Sequence, residues 1–370
     1  MKLLLMSVGS LVGQNILDSI GNRRDKIYVI GMNSIAKNPR NFRCDRTYLT
    51  TIISNSDQFE REFIEILKKE NPDLILAGRD DDALFLAKFR EKFPEYSDKI
   101  PSGNSEVVEI MLNKYKSFRF AKDHGLQFAE SFYYNNGYNL NELKSFLRKI
   151  GFPVVIKPII GHSSQGVYFI VNEEHLNSVL PEHEKKDILF QEYLGPERDF
   201  ESYLNYLKKG IPLYFGIINE TQCAGQTIIS PNGDISKVYL SIVKMVRGYP
   251  VHSHRIIEPV IEKLVYKCAK ALFDIGWYGL VNVQMKPDKN GKWKVFEFNP
   301  RMTGSTSARR LLDYDEFGTL TSIFKPEFNI PNDSREGKLE GVVFRDFVDF
   351  LMMDKDIEEL EKNKVWNKPS

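Results

Sequence analysis

The chain has 370 residues, 42% of them apolar, and a formal net charge of +1, which suits two or three domains at roughly 100–200 residues each and argues against a nucleic-acid binder with its basic excess. Three scattered cysteines, Cys44, Cys223 and Cys268, build neither a disulfide framework nor a zinc motif and fit a reducing compartment. No stretch reaches the ~18 apolar residues of a membrane span, and the apolar opening reads as a buried strand rather than a leader, so the expectation is a cytoplasmic protein with no membrane partner.

Residues 1–100 alternate strand and helix signals. Residues 3–8 predict a strand, residues 9–13 a turn opening a helix through Ile20, residues 26–32 a second strand, residues 57–70 an amphipathic helix and residues 73–77 a third strand. This rhythm implies a parallel sheet with helices on both faces. The two glycines Gly9 and Gly13 fall short of the three-glycine dinucleotide fingerprint. Asp80, Asp81 and Asp82 could hold a substrate amine, but their better reading is stabilisation of a helix first turn running through Phe89.

The texture changes near residues 101–103. Residues 113–124 predict a helix carrying Lys114 and Lys116, and residues 140–149 a second one. Residues 151–158 form a buried strand with Lys157 near its end. A small-residue loop, residues 161–166, follows, and residues 167–171 return as a strand. Strand, small-residue loop and strand make a flap whose backbone N–H groups can cover phosphates, and Lys157 leading into it favours that use over an ordinary hairpin. Residues 187–196 predict a strand ending in a Gly195-Pro196 breaker, which suits a connector between lobes. Residues 201–206, 213–218 and 238–246 read as further strands and residues 258–273 as a helix. His252 and His254 lack a nearby carboxylate or cysteine and are expected to be surface-loop histidines rather than zinc ligands.

The chemistry converges on residues 280–305. Asn290-Gly291 is a strong hairpin signal between two strand-like runs. With those two at the turn centre, counting outward sets Gln284 opposite Glu297. Side chains alternate along a strand, so Val295, Glu297 and Asn299 are expected on one face with Asn282 and Gln284. Phe296 and Phe298 should share the other face with Val281, Val283 and Met285. The polar face offers hard oxygen donors of the kind Mg²⁺ prefers, usually shared with substrate phosphates. Pro300-Arg301 and Thr303-Gly304-Ser305 then suggest a strand stop, a guanidinium and a helix with a hydroxyl cap, together a polyphosphate site. Arg309 and Arg310 could hold a substrate carboxylate, although surface arginines are the commoner outcome. Residues 344–350 with 357–360 suggest a terminal helix packed on the body.

The order of these pieces resembles the ATP-grasp superfamily, in particular its carboxylate–amine ligases and carbamoyl-phosphate-synthetase-like members, over roughly residues 1–320. The resemblance implies an α/β chain: a Rossmann-like parallel-sheet domain at 1–103, a two-lobed α+β ATP-grasp unit at 104–190 and 191–325, and an extension at 326–370. By match, Lys114 and Lys157 resemble the basic residues on the α- and β-phosphates, and Gly161, Ser163, Ser164 and Gly166 the flap over them. Gln191, Glu192, Tyr193 and Leu194 look like the adenine hinge. Asp199 matches the ribose contact, with Glu197 and Glu201 as close rivals. Gln284, Glu297 and Asn299 resemble ligands of one or two Mg²⁺ ions, with Mn²⁺ as the alternative metal, and Arg301 the residue that, with Lys157, braces the transferred phosphoryl group. Ser163 stands where many members have glycine, Ile159 where a basic residue is common, and Gln284 where others have an acid.

The implied activity is ATP-dependent joining of a small-molecule carboxylate to an amine through an acyl phosphate, releasing ADP and phosphate; a homodimer is left open. A bicarbonate-using carboxylation or carbamoyl-phosphate chemistry is the first rival, and a non-catalytic ATP-binding regulator the second.

Overall fold

The computed structural model describes residues 1–135, 140–161, 165–183, 187–195, 205, 220–246, 248–333, 341–346 and 349–369. The expected strand at 213–218, that at 201–206 except for Asn205, and the candidates Ser163, Ser164, Asp199, Glu197 and Glu201 lie outside the described residues.

The first sheet is built from β1 (Lys2–Leu5), β2 (Tyr28–Asn33), β3 (Arg46–Leu49) and β4 (Leu74–Leu76), all parallel in the order β3-β2-β1-β4. Leu3, Leu4 and Leu5 are fully buried because a central parallel strand is covered on both faces. Ser10 caps the helix Leu11–Ile20 by accepting a hydrogen bond from Gly13 N. Gly13 is required there: a Cβ would sit 2.5 Å from the Val8 carbonyl oxygen. The three carboxylates Asp80, Asp81 and Asp82 fall in the first turn of the helix Asp80–Lys92, as expected. The strand β3 has no counterpart in the sequence reading, since four residues opening on an arginine give little alternation to detect.

The second sheet is antiparallel and four-stranded, in the order β5 (Ser131–Tyr134), β8 (Ile188–Glu192), β6 (Val154–Pro158), β7 (Tyr168–Ile170). The helix Leu140–Ile150 buries Leu143 and Leu147 in the core behind it. The helix Lys114–Asp123, capped by Asn113, leads into this lobe.

The third sheet has six strands, all antiparallel: β13 (Trp293–Asn299), β12 (Gly279–Pro287), β9 (Glu220–Ile229), β10 (Tyr239–Val246), β11 (Tyr249–Ile256) and β14 (Val342–Phe344). One face is apolar and packs on the helix Pro259–Asp274 through Val265, Cys268 and Leu272, with Cys223, Val281, Val283 and Met285 opposite. Gly225 admits this helix closely, since a Cβ there would lie 2.3 Å from a Val265 methyl. His252 and His254 belong to β11 rather than to a surface loop. The strand continues through Pro250, the kind of residue that demotes a strand reading from sequence. The two imidazoles lie 5.7 Å apart, His252 stacks on Phe344, and burial followed by the His252 charge lowers the His254 pKa.

Of the expected helix at 344–350 the described residues, 344–346 and 349–350, are not helical. The C-terminal residues add β14 to the third sheet, then a helix, Asp354–Asn363, and finally β15 (Val365–Asn367), which pairs antiparallel with β3 at the edge of the first sheet. The chain thus ties its first sheet to its third.

Candidate functional site

The hairpin β12–β13 pairs Gln284 with Glu297 and Asn282 with Asn299, as counting outward from the turn predicts. Asp288 fixes the turn: its Oδ1 accepts from Asn290 N (2.9 Å) and Lys292 N (3.0 Å). A β-bulge falls between Gln284 and Met285, so the next pair is Met285 with Val295. One inserted residue re-aims the side chains around it. Val295 therefore turns into the core, fully buried, against the face expected for it, and Phe296, the unpaired bulge residue, packs half-buried at the edge of that core where its ring meets Lys157. Phe296 was missed as a site residue because a bulge leaves no trace in an alternating pattern.

Phe296 matters because Lys157 meets it. The Lys157 ammonium, at the end of β6 in the other lobe, lies 5.5 Å from the Phe296 ring centre and within 3.5 Å of the Phe296 carbonyl oxygen. Lys286 approaches the same ring at 5.8 Å. The segment joining the lobes is laced onto β13: Val295 N donates to Gln127 O and Ala129 N to Val295 O, both at 2.8 Å. The hairpin and Lys157 are thus brought together, not separated by the bulk of the fold.

Lys157 is only 5% exposed. Its Nζ donates to Gln191 Oε1 at 2.7 Å. Burial, reinforced by the nearby Lys114 and Lys286 charges and opposed by Glu297, lowers its pKa to about 7. Lys114, at the first position of its helix, is also buried and donates to Gly161 O (2.8 Å), while its backbone N–H donates to Ile159 O (2.8 Å). This fastens the start of the flap to the Lys114 helix, and Gly166 at φ 70° turns the chain back into β7.

At the hinge, Glu192 accepts from Lys294 through both carboxylate oxygens (2.7 and 2.9 Å) and from Glu130 N (2.7 Å). Glu192 N donates to Glu130 O, so its amide is already satisfied. Tyr193 packs edge-on against Phe169, and Leu194 is buried in the main core.

Glu297 makes no hydrogen bond or ion pair with the described residues. Asn299 donates through Nδ2 to Asn282 Oδ1 (3.3 Å), which leaves its own carbonyl oxygen for a ligand. Gln284 differs, since its Oε1 already accepts from Gln222 at 3.1 Å. One carboxylate and one amide oxygen fit a single Mg²⁺ that completes its shell with phosphate and water. Among the described residues no three His, Cys, Asp or Glu side chains gather into a self-sufficient metal site.

Arg301 pairs with Asp80 of the first domain, Nε to Oδ1 at 2.6 Å. Beside it, Asp82 is buried and accepts from Ser7 Oγ (2.9 Å) and Gly78 N (3.0 Å). Burial and then the Asp81 charge raise its pKa to about 7, against those two hydrogen bonds. The expected hydroxyl-capped helix is corrected: the helix spans only Thr306–Leu311, and the Ser305 side chain makes no cap hydrogen bond. Arg309 is likewise no substrate ligand. It is fully buried and donates to Glu316, to Thr303 Oγ1 (3.0 Å) and to Thr306 Oγ1 (2.9 Å). Arg310 pairs with Asp333.

The two antiparallel sheets bring Lys157 of one to the Glu297 hairpin of the other, and the chain shares this fold with solved N5-carboxyaminoimidazole synthetase and L-amino acid ligase structures. A solved structure of N5-carboxyaminoimidazole synthetase from Staphylococcus aureus with ADP superposes at a TM-score of 0.66, 15% identity, covering 93% of this chain and 79% of that one. The L-amino acid ligase of Bacillus licheniformis superposes at 0.63 with 14% identity, over 88% and 74% of the two chains. In sequence, the chain is 27% identical over 210 residues to a formate-dependent phosphoribosylglycinamide formyltransferase of Prochlorococcus marinus, covering 54% of this chain and 49% of that relative. The chain spans about half the length, or less, of such curated relatives, and no family model matches it. No helix among the described residues is long and apolar enough to cross a membrane.

Proposed function

We propose that this protein is an ATP-dependent, ADP-forming ligase that joins a small-molecule carboxylate to an amine. The observation that carries the reading is the meeting of Lys157, Lys114 and Lys286 with Glu297 at one cleft between two lobes. Lys157 and Lys114, whose acceptors among the described residues are neutral oxygens, lie near a carboxylate with no hydrogen-bond partner among the described residues, an arrangement that suits a polyphosphate and its divalent cation. In this reading residues 1–103 form a Rossmann-like domain on the substrate side, residues 104–190 and 191–325 the two lobes, and residues 326–370 an extension. Glu297 and Asn299 would hold Mg²⁺ or Mn²⁺, with Gln284 released from Gln222 if a second ion binds. Bound there, the metal would supply charge neutralisation on the polyphosphate.

The chemical difficulty is that a carboxylate has no leaving group. Transfer of the γ-phosphoryl group breaks the bond to ADP and forms a P–O bond on the acid. The amine then attacks the acyl carbon, inorganic phosphate departs with the C–O electron pair, and the amine proton is lost to solvent. The chain contributes alignment and charge rather than a nucleophile. Lys157 and Arg301 compensate charge on the moving phosphoryl group, Lys114 and the 161–166 flap hold the phosphates, and the backbone of Gln191, Glu192, Tyr193 and Leu194 receives adenine. Because the Glu192 N–H is taken by Glu130, the adenine contacts fall to its neighbours.

The test is ADP release with MgATP and amino acids or small carboxylates, singly and in pairs. Release that needs both an acid and an amine supports ligation. Release with bicarbonate alone replaces it by the carboxylating alternative, and nucleotide binding without any turnover leaves a regulatory nucleotide-binding protein.

A further inference from the structure

The buried Lys157 has an unusual partner. A buried ammonium is ordinarily met by a carboxylate, because removing the charge from water is otherwise costly. Here the nearest acceptor is the neutral side chain of Gln191, itself 3% exposed. Its orientation is fixed from behind. Gln191 Nε2 donates to Ser131 Oγ at 2.9 Å, and Ser131 Oγ donates to Ala129 O at 2.9 Å. The sheet register explains the alignment. Ser131 on β5 is directly opposite Gln191 on β8, and Gln191 is opposite Val155 on β6, which places Lys157 diagonally across from it on the same face. Three strands of an otherwise apolar sheet therefore carry one polar row. The row ends at the cleft and begins at Ala129, the residue hydrogen-bonded to β13 two positions before Glu297.

We propose that Gln191 is a positioning residue: its side-chain carbonyl, braced by Ser131, aims the Lys157 ammonium into the cleft while leaving the lysine's charge unneutralised for a nucleotide phosphate. The proposal rests on the nucleotide reading of the cleft. It gives the Gln191 side chain a role distinct from the backbone role of the hinge in which it lies. A glutamate at this position would hold the ammonium equally well but would spend its charge internally. An aliphatic residue would leave the ammonium without its closest acceptor and drive it toward the neutral form.

The experiment is calorimetric titration of the full chain with MgADP between pH 6 and 9, comparing wild type, Gln191→Leu, Gln191→Glu and Ser131→Ala. Gln191→Leu should bind at least about tenfold more weakly at pH 8, a loss of ~1.4 kcal/mol, and should recover affinity as the pH falls and Lys157 regains its proton. Gln191→Glu should bind weakly with a flat pH profile, and Ser131→Ala should show a smaller loss with the same recovery at low pH. A merely structural role for Gln191 would lower thermal stability without moving the pH profile. If Gln191→Leu fails to fold, the Gln191→Glu and Ser131→Ala profiles decide. Wild-type affinity and pH midpoint in the variants would overturn the proposal, and so would binding by Gln191→Leu and Ser131→Ala that is weakened at all pH values with no recovery. Absence of MgADP binding by wild type would instead remove the nucleotide reading itself.

Discussion

Two cations, Arg309 and Lys157, are buried on different terms. Arg309 has no exposed surface, and Glu316, equally buried, receives its Nε and Nη2 while Thr306 shares Nη2 and Thr303 accepts from Nη1. Lys157 is almost as deeply buried, yet its partners are an amide oxygen, a main-chain carbonyl and an aromatic ring. The carboxylate that faces it, Glu297, acts on it only through space. A cation that serves the fold carries its counter-charge inside the fold. Lys157 leaves that charge to be supplied on binding, so for these two cations the charge state of the partner, not the depth of burial, separates strut from site.

Removing the two carboxylates should therefore have opposite signatures. Glu297→Ala should abolish ATP turnover, a loss of about 4 kcal/mol or more in the transition state and hence roughly a thousandfold or greater in ADP release. Its melting temperature should stay near that of wild type. ADP release that survives this substitution would dissolve the comparison at once. Arg309→Met should do the converse. It strands Glu316 as a buried charge and should cost about 3–5 kcal/mol of stability in urea unfolding, whereas nucleotide affinity per folded molecule should be unchanged. If Arg309→Met leaves stability intact but abolishes binding of an acid substrate, Arg309 returns to the site. Lys157→Met occupies the middle ground: nucleotide affinity should fall at least about tenfold, and stability in the absence of ligand should hold or rise.

How much of this was legible in the sequence differs along the chain in a way physics accounts for. Counting from Asn290-Gly291 names the pairs Gln284–Glu297 and Asn282–Asn299, but next to the turn Lys286 faces Lys294 and Pro287 faces Trp293, one residue off the count, and the bulge restores the counted pairing only beyond Met285. The bulge, which puts Val295 in the core and Phe296 at its edge, could not be counted, since an extra residue on one strand depends on what packs beneath it. Helices with strong caps, such as Lys114–Asp123 behind Asn113, announced themselves. The helix Thr306–Leu311 offered a plausible Ser305 cap, yet the polar groups of its sequence went into the buried Arg309–Thr306–Glu316 cluster instead. Arg309 shows the general difficulty: whether an arginine is ligand or strut depends on whether Glu316, seven residues on, folds back onto it. The same holds for β3, β14 and β15, which are three or four residues long and are strands only because a partner edge is waiting.

The pH dependence of stability is the most diagnostic of the buried charge itself, because two groups near the cleft are displaced to about 7 from opposite sides. Lys157 would titrate at ~10.4 in the unfolded chain. Between pH 7 and 10 the unfolded state then holds a proton the folded state has released, so stability rises with pH across that window and is lost as pH falls through 7. Asp82 would titrate at ~3.9 unfolded. Between pH 4 and 7 its folded form keeps the extra proton, so its contribution is complete at acid pH and disappears as pH rises through 7. Lys157→Met should flatten the wild-type rise in melting temperature above pH 7, and Asp82→Asn should flatten the fall below it. Each variant should leave the other limb in place. A Lys157→Met protein whose melting temperature tracks wild type in parallel from pH 7 to 10 would mean that the ammonium already has its counter-charge, and the distinction between Lys157 and Arg309 would then rest on Glu297 alone.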